Sequence, residues 1–192
     1  QAFAWQKPGA WNVGPLLPAN TRILSALSLP PFYAITNAAA IGKEALMTRA
    51  RTAFAAGLKL LQVRDKEWPL ARRLDLAAGL VELAAGYDAR VIFNGTAEQA
   101  QAAGCAGVHY GAEALLAVST RPAGMLAAAS CHTAGELARA GDLGLDFAVL
   151  GPVAPTASHP GAATLGWDAF AAMAVHTRLP VYALGGLGRQ DL

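Results

Sequence analysis

Charge and cysteine are both scarce in this sequence. Only 15% of the 192 residues are charged, with 15 basic against 13 acidic groups and a net charge of +2. No run of Lys or Arg occurs, so the electrostatic footprint of a nucleic-acid binder is missing and the positive charges read as scattered surface groups. The two cysteines, Cys105 and Cys131, form no C-x-x-C pair and are too few for a disulfide framework. They read as reduced, buried thiols, which fits a cytoplasmic compartment. No apolar stretch approaches the roughly 20 residues that a membrane-spanning helix needs. The N-terminus, Gln1 to Gln6, lacks the basic-then-apolar pattern of a signal peptide and has no initiator Met. The chain is therefore expected to be a piece of something longer. What is abundant is apolar side chain: 54% of residues are hydrophobic. That excludes disorder and suits strands buried on both faces.

Prolines at 8, 15, 18, 30 and 31 punctuate the first thirty-one residues, where only Thr21–Leu29 reads as a short helix with Asn20 as its N-cap. Pro30-Pro31 breaks the chain, and a boundary is placed there, giving units 1–30 and 31–192. Beyond it, short β-type runs alternate with Ala/Leu-rich runs of helical period. The strand candidates are 33–36, 58–63, 90–94, 107–110, 126–130, 147–150 and 181–184. The helix candidates are 43–56, 70–85, 97–103, 112–118, 134–140 and 167–175. Gly57, Gly86 and Gly104 stand where helices close before the next strand. Such alternation means a parallel sheet with right-handed crossovers. Seven units, with no Gly-rich phosphate loop after the first strand, favour a (β/α)8 TIM barrel over a doubly wound sheet. The sequence stops before an eighth strand, so the barrel is expected to be truncated, with two strand edges and a tendency to associate.

In such a barrel the chemistry collects at the C-terminal strand ends. After the second strand candidate, Gln62, Arg64 and Lys66 could converge on one anion, the guanidinium bidentately and the ammonium as a point charge. A polar barrel layer with a surface lysine is the competing reading. Asn94-Gly95 ends the third strand, as a heterocycle contact or as a plain turn. His109 in the fourth reads as structural. Ser130 and His132 flank Cys131 at the end of the fifth, and His132 suits acid/base work near neutral pH. Cys131 should point away from them, into the packing. The long loop from Gly151 to Gly161 carries Thr156, Ser158 and His159 between prolines, as an anion-contacting lid or an ordinary surface loop. Gly185-Gly186 would let backbone N–H groups approach a phosphate.

Taken in order, Gln62-x-Arg64-x-Lys66, Asn94, Gly107-Val108-His109-x-Gly111, Ser130-x-His132, Gly151-Pro152…Pro155-Thr156-x-Ser158 and Ala183-Leu184-Gly185-Gly186 resemble the thiamine phosphate synthase and thiazole tautomerase superfamily over residues 32–192. The resemblance implies that Gln62, Arg64 and Lys66 hold the pyrophosphate of an aminopyrimidine. Thr156, Ser158, Gly185 and Gly186 would hold a thiazole phosphate. Joining the two heterocycles, with pyrophosphate leaving, is the implied synthase reaction. The family's Mg²⁺-binding Asp residues are replaced by Gly95 and Ala114, and its β6-loop Lys by His159. No cofactor is therefore assigned, and Mg²⁺ is expected only if synthase activity is kept. The tautomerase needs no metal, and His132, with Ser130 beside it, matches its acid/base histidine. A non-catalytic module that holds a phosphorylated ligand is a further alternative. The ligands are small phosphorylated heterocycles under every reading, with no nucleic-acid polymer and no membrane.

Residues Pro15-Leu16-Leu17-Pro18-Ala19-Asn20 and Ile23-Leu24-x-Ala26-Leu27 are similar to the C-terminal end of a Nudix 8-oxo-dGTP diphosphatase. The resemblance gives Asn20 the role of contacting the oxidised base and implies a Nudix domain in cis. The Glu-rich Nudix box itself is absent from this sequence.

Overall fold

The computed structural model describes residues 5–7, 10–12, 14, 15, 17, 20–156, 161 and 163–191, without the side chains of residues 21 and 22. Seven strands form one sheet in sequence order: β1 Ala34–Ile35, β2 Leu60–Val63, β3 Arg90–Asn94, β4 Gly107–Tyr110, β5 Leu126–Cys131, β6 Phe147–Leu150 and β7 Val181–Ala183. Every neighbouring pair is parallel. The helices are α1 Thr21–Leu27, α2 Ala38–Ile41, α3 Lys43–Ala55, α4 Leu70–Ala85, α5 Ala97–Ala102, α6 Ala112–Ala117, α7 Ala134–Asp142 and α8 Gly166–Ala174. A 3₁₀ turn, Arg189–Asp191, follows β7. The sheet ends at β1 and β7, so the barrel is open among the described residues.

The inner strands, β2 to β6, bury both faces because two apolar clusters lie against them, while the edge strands β1 and β7 stay half-buried. One sits between sheet and helices and includes Leu76 and Leu80 of α4, Leu137 of α7, Val63, Phe93 and Cys131. The other fills the barrel interior with Leu60, Ile92, Ala128, Phe147 and Val149, flanked by Tyr33 and Tyr182. Leu80 is fully buried. Hiding one such side chain is worth about 2 kcal/mol, and truncating it to Ala in a packed core costs roughly 2–5 kcal/mol. Cys105 and Cys131 are unpaired and buried, and burial pushes both thiols up to about 12. No helix among the described residues is long and apolar enough to cross a membrane.

The helix starts owe much to capping. Thr96 and Gln99 close a capping box on α5, and Thr133 with Glu136 closes one on α7. Asn20 does precede α1, but its side chain makes no cap hydrogen bond and its backbone is already helical. Gly57 and Gly104 follow their helices with φ of 101° and 68° as expected, whereas Gly86 stays right-handed and Asp88, at φ 50°, makes the reversal after α4. The four-residue α2 gives no sequence signal because its run, Ala38-Ala39-Ala40-Ile41, is too short to show a period.

Candidate active site

Period-2 alternation sorts the interior into layers. Leu60, Ile92, Ala128 and Phe147 form an apolar floor. Two residues further along their strands, Gln62, Asn94 and Ser130 stand beside His109 as a polar layer. Asn94 lies in register with His109 across the β3–β4 pair. Two residues further again, Arg64 and His132 reach the mouth.

The polar layer is hydrogen-bonded throughout. Asn94 Nδ2 donates to Gln62 Oε1 at 3.1 Å, and Gln62 Nε2 donates to the Tyr33 hydroxyl at 3.0 Å. Tyr33 meets His109 Nδ1 at 3.1 Å, and His109 Nε2 meets Ser130 Oγ at 2.9 Å. Gln62 and His109 are fully buried. Gln62 therefore lines the cavity but directs its amide to Tyr33 and Asn94. Burial first, then the charges of Arg64 and Lys66, push the His109 imidazole down to about 3. Burial also raises the Tyr33 hydroxyl.

Above this layer opens a cavity of about 830 Å³. Arg64 and Lys66 stand on its β2 side, Ser130 and His132 on its β5 side, and Thr156, Gly185 and Gly186 on the β6–β7 side. A Cβ placed on Gly111 would lie 3.9 Å from Lys66 Nζ, so the ammonium reaches across from β2 towards β4. Asp65, between the two cations, faces elsewhere. Its carboxylate accepts from Thr36 Oγ1 at 2.5 Å and from the Ala39 N–H at 2.9 Å, and Thr36 Oγ1 in turn accepts from the Arg64 N–H at 3.0 Å. This clamp ties the β1 loop to the β2 loop and fixes the backbone that carries Arg64. No carboxylate lines the cavity among the described residues. A concave site bearing two cations and lacking acidic groups selects an anion.

The residues at β5 behave differently from one another. His132 Nδ1 lies 2.5 Å from the Gly151 carbonyl, an acceptor, so Nδ1 carries the proton and Nε2 is the nitrogen left for a ligand. Its backbone N–H is held by Glu136 Oε2 at 2.5 Å. Ser130 pairs with His109, from the neighbouring strand, and Cys131 between them is buried as expected. Gly185 and Gly186, with φ of 105° and 66°, also permit a close approach. A Cβ at 186 would fall 2.2 Å from the Pro155 carbonyl oxygen, and one at 185 would fall 2.6 Å from Pro152 Cβ.

Ser158 and His159 lie outside the described residues. Asn20 is exposed and is not among the residues lining the cavity. His109 and Tyr33 are the members of the site that their residue types did not disclose. The available signal was one polar residue at alternating, inward positions of β2, β3, β4 and β5, in strands otherwise almost wholly apolar. Arg73 of α4 is a further addition, donating from Nη1 to the Asn94 carbonyl at 3.2 Å.

The donor set does not fit a protein-held Mg²⁺. Among the described residues no three His, Cys, Asp or Glu side chains cluster to hold an ion. A hard divalent cation wants carboxylate oxygens, yet positions 95 and 114 are Gly and Ala, and Asp65 is engaged by Thr36 and Ala39. A side chain at 95 would start 2.2 Å from Gln99 Oε1, inside the α5 capping box, so a carboxylate there would displace the helix cap.

Comparison with known proteins agrees with this architecture. A Geobacter sulfurreducens protein provisionally named thiamine-phosphate synthase is 36% identical over 164 residues, covering 83% of this chain and 77% of that one. The thiamine-phosphate synthase of Thermus thermophilus is 33% identical over 153 residues, covering 78% and 73%. Among solved structures, thiamine phosphate pyrophosphorylase from Pyrococcus furiosus superposes with a TM-score of 0.67 at 23% identity, covering 83% of this chain and 76% of that one, a likeness of fold. The family model described as thiamine monophosphate synthase matches residues 32–192, and the chain belongs to that family.

Proposed function

We propose that the open barrel joins an aminopyrimidine pyrophosphate to a thiazole phosphate, releasing pyrophosphate, as a step of thiamine biosynthesis. The observation that carries this reading is the convergence of Arg64 and Lys66 on a cavity without a carboxylate among its described lining residues. Its volume lies within the usual range for small-ligand sites. Arg64 grips the pyrophosphate bidentately and Lys66 adds a point charge, so protein cations offset the charge that builds on the leaving group. Thr156, Gly185 and Gly186 line the opposite side, where the second phosphate fits, with Ser158 and His159 assigned to the same loop. Gln62 lies at the base of the cavity under the heterocycles, with Asn94 hydrogen-bonded behind it.

One feature favours a second reading, a metal-independent thiazole tautomerase. The Gly151 carbonyl engages His132 Nδ1 and leaves Nε2 for a ligand, with Ser130 also lining the cavity, an arrangement suited to moving a proton on a bound ring. Residues 1–30 lie outside the family match, and their assignment to a Nudix unit, with Asn20 as its base contact, rests on the Pro15–Leu27 resemblance.

The test is to incubate the protein with both substrates, with and without Mg²⁺, and to assay thiamine phosphate. Formation of thiamine phosphate supports the synthase reading. Isomerisation of a thiazole carboxylate phosphate without that product favours the tautomerase. Neither reaction, with pyrophosphate still bound, makes the barrel a binding module.

A further inference from the structure

We propose that Tyr33 and His109 are positioning residues: a one-way hydrogen-bond chain, Asn94 to Gln62 to Tyr33 to His109 to Ser130, turns the Ser130 hydroxyl into a donor aimed at the anion in the cavity. This rests on the reading of the cavity as an anion site.

The direction follows from counting protons. Tyr33 has a single hydroxyl proton, and its oxygen already accepts from Gln62 Nε2. That proton therefore goes to His109 Nδ1, 3.1 Å away, which requires Nδ1 to be bare. The ring is fully buried, and Arg64 and Lys66 both oppose a charge on it, so it stays neutral. A neutral imidazole with Nδ1 bare carries its proton on Nε2, and Nε2–H donates to Ser130 Oγ at 2.9 Å. Ser130, with this lone pair filled, offers its own proton to the cavity it lines. Each link points its positive end the same way, and an anion held by Arg64 and Lys66 favours that direction over the reverse. Chains of buried hydrogen bonds also polarise one another, which strengthens the terminal donor. Tyr33 is fixed for this task by edge-on contact with Phe147, at 5.1 Å between ring centres, and by Tyr182 at 5.7 Å.

Two measurements on the whole chain test this. The first is the ¹⁵N spectrum of histidine-labelled protein with inorganic pyrophosphate added. His109 should appear as the neutral Nε2–H tautomer and should not titrate between about pH 5 and pH 8. An Nδ1–H tautomer would mean that the chain runs backwards, and a titrating ring would mean that it is not held neutral; either overturns the proposal. The second is a double-mutant cycle on thiamine phosphate formation, or on pyrophosphate affinity if no product forms. Ser130→Ala should cost on the order of 100-fold, the usual loss for one donor to developing charge. Tyr33→Phe, which keeps the ring packing, should cost about 10-fold in kcat with KM nearly unchanged. The double variant should be no worse than Ser130→Ala, because the two act in series. Additive losses would overturn the proposal. A wild-type protein that binds no pyrophosphate contradicts the anion-site reading instead, and the tautomer spectrum then judges the chain by itself.

Discussion

The imidazole of His109 is held neutral by burial and by two cations, with its pKa pushed from 6.5 to about 3. As pH falls below about 6.5 the unfolded chain takes up a proton here that the folded chain refuses. The stability present above that pH is therefore lost between roughly pH 6.5 and pH 3, at up to about 1.4 kcal/mol per pH unit. Urea denaturation from pH 8 to pH 4 should show this acid limb, and His109→Gln should flatten it. An unchanged slope in the variant would place the acid sensitivity elsewhere. That Arg64, Lys66, Ser130 and His132 share one cavity could be read from the sequence because they stand at strand ends, which a (β/α)8 barrel gathers at one face. His109 and Tyr33 could not, because a histidine inside an apolar strand carries no mark of the partners that distant strands supply. The place of Gln62 on the cavity was legible, but the use of its amide by Tyr33 and Asn94 depends on side-chain directions that spacing does not give.

The loops after β6 and β7 are locked together by backbone contacts: the Val153 N–H donates to the Leu184 carbonyl at 2.8 Å, and the Ala154 N–H donates to the Gly185 carbonyl at 2.9 Å. Gly186→Ala would add both left-handed strain and a clash with Pro155 O. A loss of at least about 2 kcal/mol is expected, read as a lower urea midpoint. Gly124→Ala, also at positive φ (73°) but with nothing within 4 Å, should cost about 1 kcal/mol. Equal losses at the two positions would show that strain alone matters and that the loops do not interlock. The strands were readable at this scale because β-branched and aromatic runs such as Val91-Ile92-Phe93 contrast with Ala/Leu helices. The errors lie at the ends. The first strand was expected over 33–36 and spans only Ala34–Ile35, and Tyr33 instead turns into the barrel interior.

At the scale of the molecule, the order of the seven strands followed from the alternation of elements, since parallel neighbours joined by helices leave few topologies. What spans the gap between β7 and the start of β1 did not follow. The Tyr182 hydroxyl donates to the Pro30 carbonyl at 2.5 Å, joining residues 152 positions apart. Tyr182→Phe keeps the ring against Phe147 and removes this link, so a loss of about 1 kcal/mol is expected in urea denaturation. No loss would mean that solvent replaces the bond.

The central claim, that Arg64 and Lys66 build an anion site at the mouth of this barrel, is tested most directly by calorimetric titration of inorganic pyrophosphate into the wild type and into Arg64→Met and Lys66→Met. Each variant should bind about 10- to 100-fold more weakly, the worth of one charge-assisted contact. Wild-type affinity in both variants, or no binding by the wild type, would contradict the account.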